Sequence, residues 1–109
     1  MFNVKKRDGK YVDFDISKIR DAIKLAFEAS NVNFNDNMLD FISLKVTADF
    51  EPKIKDSHIA VEDIQDSVEN VLVQAGYAEV AKAYILYRKQ HEKMRNLKNT
   101  ILDYKKVVD

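Results

Sequence analysis

Four basic residues stand where folding alone has little use for them. Phe2 and Val4 alternate with polar neighbours, so strict strand alternation puts Lys6 on the same core-ward face, and Arg7 follows it into a turn. Lys18 and Arg20 fall in the first turns of the next helical segment, where the macrodipole disfavours cations. A buried ammonium without a partner costs several kcal/mol, so Lys6 requires either an anion or an opening to solvent. A phosphate at that helix N-terminus, held by Lys6, Arg7 and Lys18, meets both conditions. Three or four charge-assisted hydrogen bonds, at about 1.5–3 kcal/mol each, could carry micromolar binding. The competing reading is a solvated surface on which Asp8, Asp13, Asp15 and Asp21 form ordinary ion pairs with these cations.

Other chemistry is poorly provided for. The only glycines are Gly9 and Gly76, and neither lies in a phosphate-loop or dinucleotide pattern, which argues against nucleotide hydrolysis. With no cysteine there are no disulfides, thiolate metal sites or thiol nucleophiles. His58 and His91 are far apart and no motif joins them. Glu62, Asp63 and Asp66 could hold a magnesium ion, but acids at a helix start more often answer the dipole. Tyr84, Tyr87, Arg88 and Lys89 offer stacking and charge, or simply core and solvated rim. The chain by itself is not expected to be an enzyme.

The elements that must position these groups are legible. Residues 2–15 read as a β-hairpin turning at Asp8-Gly9. Asp15 is the N-cap of a helix to about Ser30, with Ile16, Ile19, Ala22, Ile23, Ala26 and Phe27 in one stripe. A second helix runs from about Asn37 to Phe50, burying Leu39, Ile42, Val46 and Phe50, and stops at Glu51-Pro52. Lys53 to Asp56 is a loop, and His58-Ile59-Ala60 can add a short third strand. A third helix starts near Glu62 and ends at Gly76, and a fourth opens at about Ala78 with a polar distal half. The pattern predicts an α+β domain, a four-helix bundle capped by a small three-stranded sheet.

One domain fits 109 residues, 46% apolar and 33% charged, with no apolar run long enough for a membrane and no signal-peptide core. A cytoplasmic setting is the expectation. Eighteen basic residues balance eighteen acidic ones, so no global field points to nucleic acid and an anion site must be local.

Val4-Lys5-Lys6-Arg7-Asp8-Gly9 and Phe14-Asp15-Ile16-Ser17-Lys18-Ile19 resemble the opening of the ATP-cone domain. The likeness continues in order through Val61 to Glu69 and Ala81 to Lys89. Lys45 to Phe50, the run AKAYILYRKQHEKMRN and the tail TILDYKKVVD resemble the N-terminal region of anaerobic ribonucleoside-triphosphate reductase. The resemblance implies an ATP-cone over residues 1–95 and a linker over 96–109, leading to a catalytic domain of the same polypeptide. It implies ATP as activator and dATP as inhibitor, with Mg2+ left open, and other ATP-cones as oligomer partners; nucleic acid and membrane are not expected. By the same resemblance, Lys6, Arg7 and Lys18 meet phosphates, Val4 and Ile19 form the adenine and ribose environment, and Arg88-Lys89 is the basic contact of the last helix. Gln65 stands where some relatives carry histidine and Val61 where some carry a hydroxyl, which unsettles the sugar contacts. A helical interaction module and an ATP-cone transcriptional regulator are the alternatives, the latter weakened by the lack of cysteines for a zinc ribbon.

Overall fold

A computed structural model describes the backbone of residues 2–108 and the side chains of residues 2–94. Strands β1 (Asn3–Lys5) and β2 (Tyr11–Asp13) form the hairpin. Its turn closes through the Gly9 amide donating to the Lys6 carbonyl at 2.9 Å, with Gly9 at φ 87°, a conformation glycine adopts without a Cβ penalty. Helices α1 (Ile16–Ser30) and α2 (Asp36–Phe50) follow, then a 3-10 turn at Glu51–Lys53, strand β3 (His58–Ala60), and helices α3 (Val61–Gln74) and α4 (Ala78–Val108). The expected linker over 96–109 lies outside the described side chains.

The capping chemistry explains the boundaries. The Asp15 carboxylate accepts from the Ser17 amide at 3.0 Å, and Asn35 accepts from the Met38 amide at 2.8 Å, so each short polar residue satisfies a first-turn donor. Asn35 capping starts α2 at Asp36, one residue before the sequence expectation. Proline at residue 52 converts the end of α2 into the 3-10 turn. α3 ends where Gly76 takes φ 89° and the Tyr77 amide returns to the Leu72 carbonyl at 2.9 Å.

The sheet order is β2-β1-β3, with β1 antiparallel to β2 and parallel to β3. Register places Val12, Val4 and Ile59 side by side across one face. That face covers a core containing Ile23, Phe27, Leu39, Val46, Phe50 and Leu72. α1 packs on α4 and α2 on α3, closing the bundle through further α1–α2 and α3–α4 contacts.

Lys6 keeps the face that alternation assigns. Beyond the last register pair at Lys5 its amide still donates to the Lys10 carbonyl at 2.8 Å, and its side chain lies on the side of Val4 but exposed at the start of the turn. Of the two outcomes open to it, the structure takes the opening to solvent.

The connection before β3 is tighter than a plain loop. Lys55 and His58 exchange both backbone hydrogen bonds at 3.0 Å, around Asp56 and Ser57 at φ 53° and 63°. Two successive positive φ values are the type I′ pattern, which favours Asn-Gly. Neither side chain is recorded in a hydrogen bond, although the Ser57 carbonyl accepts from the Asn3 amide at 2.9 Å. Ser57→Gly is therefore expected to stabilise the protein by about 0.5–1 kcal/mol, because the αL cost to an L-residue outweighs glycine's entropy. Urea denaturation checks this, and an unchanged or lowered midpoint would contradict it.

Candidate functional site

The N-termini of α1 and α3 converge beneath the hairpin, and a cleft of about 160 Å³ opens between them. Its floor is apolar: Val4 and Val12 from the core face of the sheet, Phe14, Ile19 from α1, and Val61 and Ile64 from α3. Lys6, Asp13, Asp15 and Lys18 complete its lining. Each residue is there for a local reason. Val4 and Val12 are cross-strand partners, Lys18 and Ile19 lie in the first turn that Asp15 caps, and Val61 opens α3 directly after β3.

The electrostatics at the rim are uneven. Asp15 is committed to Ser17, whose hydroxyl donates to it at 2.6 Å, and these bonds hold its carboxyl below the usual range. Neither the Lys6 nor the Lys18 ammonium has an ion-pair partner among the described residues. α3 starts after Ala60, which offers no capping side chain, so its first turn adds amide donors without a local side-chain acceptor. Two helix N-termini, one capped by Asp15 and the other carrying Glu62 and Asp63 in its first turn, meet two ammoniums without an ion pair over an apolar floor, which suits a ligand with a flat apolar part and an anionic tail.

The expected site residues separate into two groups. Val4, Lys6, Lys18 and Ile19 line the cleft. Arg7 flanks it, with its guanidinium 2.9 Å from Glu92 of α4 and 3.5 Å from Glu62 of α3. Arg88 is held by Glu69 at 2.9 Å and Asp66 at 3.1 Å, both on α3. Burial alone would lower the Arg88 pKa, but those two carboxylates raise it above its ordinary value. Lys89 is exposed and is not among the cleft-lining residues. Tyr84 is core, 5% exposed, and burial pushes its hydroxyl well above the ordinary range.

Several lining residues escape sequence reading. Val12, Phe14 and Ile64 carry only the signal of apolar periodicity, which marks them as core. Their convergence depends on β3 pairing with β1 across more than fifty residues of chain, which brings α3 to the hairpin. Glu92 carries no signal in the sequence. A groove of about 380 Å³ between α1 and α4 is larger than the cleft, but no charged side chain lines it, so it offers a phosphate nothing.

Comparison with known proteins agrees with this architecture. The family described as ATP cone domain matches residues 2–93, and the chain belongs to that family. Over 95 residues it is 38% identical to the vitamin B12-dependent ribonucleoside-diphosphate reductase of Mycobacterium tuberculosis, covering 87% of this chain and 13% of that protein. Over 103 residues it is 36% identical to the anaerobic ribonucleoside-triphosphate reductase of Haemophilus influenzae, covering 92% and 14%. The alpha subunit of ribonucleoside-diphosphate reductase from Chlamydia muridarum is 33% identical over 102 residues, covering 86% and 10%. The chain thus spans about a tenth to a seventh of the relatives it matches.

Proposed function

We propose that the cleft binds an adenine nucleotide, ATP or dATP, as an allosteric signal, and that the chain regulates a ribonucleotide reductase whose catalytic domain belongs to the same polypeptide. The observation that carries this reading is the pair of unpaired ammoniums, Lys6 and Lys18, over an apolar floor where two helix N-termini meet. A cleft of 160 Å³ is below the roughly 300–1,000 Å³ of sites that enclose a whole ligand. It suits the base, with ribose and phosphates on the open rim. Among the described residues no three or more His, Asp or Glu side chains gather as a metal site, so Mg2+ would arrive chelated by the phosphates.

The anaerobic triphosphate-reductase class is favoured by the Lys45–Phe50 and tail segments, and the match to the Haemophilus protein reaches 92% of the chain. A cytoplasmic setting goes with that reading, and no helix among the described residues is long and apolar enough to cross a membrane. Nucleotide identity would be passed to other cones and to the catalytic domain as a coupling of about 1–3 kcal/mol.

The test is calorimetric titration with ATP, dATP, tripolyphosphate and adenosine. Saturable binding of a nucleotide, weaker binding of tripolyphosphate and weaker binding still of adenosine are expected. No heat and no thermal shift with ATP or dATP would end the proposal.

Two further outcomes follow from the rim. Arg7 lies beside Lys6 but is held by Glu92 and Glu62, so a phosphate must compete with those carboxylates for it. Glu92→Gln is expected to tighten ATP binding by about 3- to 10-fold, the release of one partly exposed ion pair near an anion. Glu79→Gln, remote in a solvent-exposed pair with Lys82, is the control and should change nothing. Equal or weaker ATP binding by the Glu92 variant would remove Arg7 from the site. The Gln65 Oε1 is buried and has no hydrogen-bond partner among the described residues, one helical turn beyond Val61. An orphaned acceptor there is suited to a sugar hydroxyl. Gln65→Leu is expected to shift the ATP-to-dATP affinity ratio by about 5-fold, one neutral hydrogen bond; an unchanged ratio would place sugar reading elsewhere.

A further inference from the structure

α4 is held to the domain in two different ways along its length. Up to Tyr84 it is fastened by burial, through Val80, Ala81 and Tyr84. Beyond Tyr84 none of its side chains is wholly buried among the described residues, and residues 91–94 are all exposed. Two arginine bridges, one helical turn apart on α4, tie that part down. Arg88 binds Glu69 at 2.9 Å and Asp66 at 3.1 Å on α3. Arg7 reaches across from the hairpin turn to Glu92 at 2.9 Å, with Glu62 of α3 3.5 Å away.

The two bridges differ in what can undo them. Glu62, Asp66 and Glu69 lie along one stripe of α3 at helical spacing, so with Glu92 four carboxylates meet two guanidiniums along the seam between α3 and α4. Arg88 belongs to the seam itself and is not among the residues that line the cleft. Arg7 is lent to the seam by the hairpin, and its neighbour Lys6 lines the cleft. A polyphosphate bound there offers the Arg7 guanidinium a stronger, bidentate partner than two partly exposed carboxylates. Once Arg7 turns to it, Glu62 and Glu92 are left facing each other without a cation between them, and like charges at that range repel. The seam then opens at its end, while Arg88 keeps it closed one turn further in.

We propose that Arg7 is a releasable clasp on α4: a nucleotide entering the cleft draws Arg7 from Glu92 and frees the part of the helix beyond Arg88. This names the moving part of the allosteric response, and it rests on the nucleotide reading of the cleft. Linkage fixes the size of the effect. If Glu92→Gln tightens ATP binding by about 3- to 10-fold, ATP should shift the clasp from closed to open by a factor of the same size.

The chain has no cysteine, so spin labels can be placed at Asn70→Cys on α3 and Met94→Cys on α4 with no other thiol to modify. Both positions are exposed. Pulsed electron paramagnetic resonance reads their separation, and calorimetry on the same labelled protein shows when ATP is bound. Saturating ATP should shift the population toward a longer distance by about 3- to 10-fold. Arg7→Ala should give that longer distance without nucleotide, and in Glu92→Gln ATP should move nothing further. A label at Lys82→Cys instead of Met94→Cys, within the buried-anchored part of α4, should report no change throughout. The proposal is overturned if ATP binds and the Met94 position stays where it was, or if Arg7→Ala keeps the wild-type distance. ATP that gives no heat overturns the nucleotide reading and the release with it. The Arg7→Ala distance, measured without ligand, distinguishes that failure from a failure of the clasp. Arg7 and Glu92 are both outside the core, so neither change should prevent folding.

Discussion

Truncating Phe50 to alanine is expected to lower the unfolding free energy by about 3–5 kcal/mol, a large part of the 5–15 kcal/mol typical of a domain. Phe50 is the last residue of α2 and is wholly buried. Its ring meets Phe2 at 5.8 Å and Phe14 at 5.6 Å, each edge-on, while Phe2 and Phe14 stack at 4.7 Å. Phe2 precedes β1 and Phe14 follows β2, so one side chain fastens both open ends of the hairpin to the bundle. Strands of three residues each hold together through that packing rather than their own hydrogen bonds. The loss should therefore reach the cleft, because Phe14 is part of its floor. Phe50→Leu keeps most of the volume and should cost about 1.5 kcal/mol or less. Urea unfolding followed by circular dichroism gives both values. A cost below about 1 kcal/mol for the alanine variant would mean that the aromatic cluster does not anchor the sheet.

The second large effect concerns affinity and should leave folding alone. Lys6→Ala and Lys18→Ala are each expected to weaken ATP binding by about 10- to 100-fold, the worth of one charge-assisted hydrogen bond at 1.5–3 kcal/mol. The double variant should lose the product of the two unless Arg7 compensates. Neither ammonium has an ion pair among the described residues, so the thermal midpoints should stay close to wild type. Removing Lys18 from the first turn of α1 should even ease repulsion with the helix dipole slightly. Adenosine binding should be unchanged, and the salt dependence of ATP binding should flatten. A double variant that binds ATP as wild type does would move the phosphates off this rim. One that loses adenosine as well would show that the cleft itself had changed shape.

The helices were legible because each carries its own start, stripe and stop within about fifteen residues. Asp15 before Ile16 and Gly76 after Gln74 declare ends that need no tertiary contact. The core stripes of α1, α2 and α3 follow from helical periodicity for the same reason. Lys6 marks the limit of such reasoning. Alternation assigns its face, shared with Val4, but whether a carboxylate from another element meets it there is decided by tertiary packing. The Asp56-Ser57 turn is not legible in the residues, because neither is the glycine that two successive positive φ values favour.

Side-chain pattern alone settles the class of fold, the helix starts to within one residue, and the presence of basic groups around one of them, while the end of α4 at Val108 lies well past the expected linker start at 96. What it settles is local, set by side-chain periodicity, capping and turn chemistry. Only the tertiary structure decided which cations are available and which are spent. Arg7 and Arg88 read in sequence like Lys6 and Lys18, yet Glu92, Glu62, Glu69 and Asp66 neutralise the arginines from other helices while the lysines face the cleft unpaired. Pairings across nineteen to eighty-five residues of chain are fixed by how helices dock, and docking minimises the exposed apolar area of the whole molecule rather than any local preference.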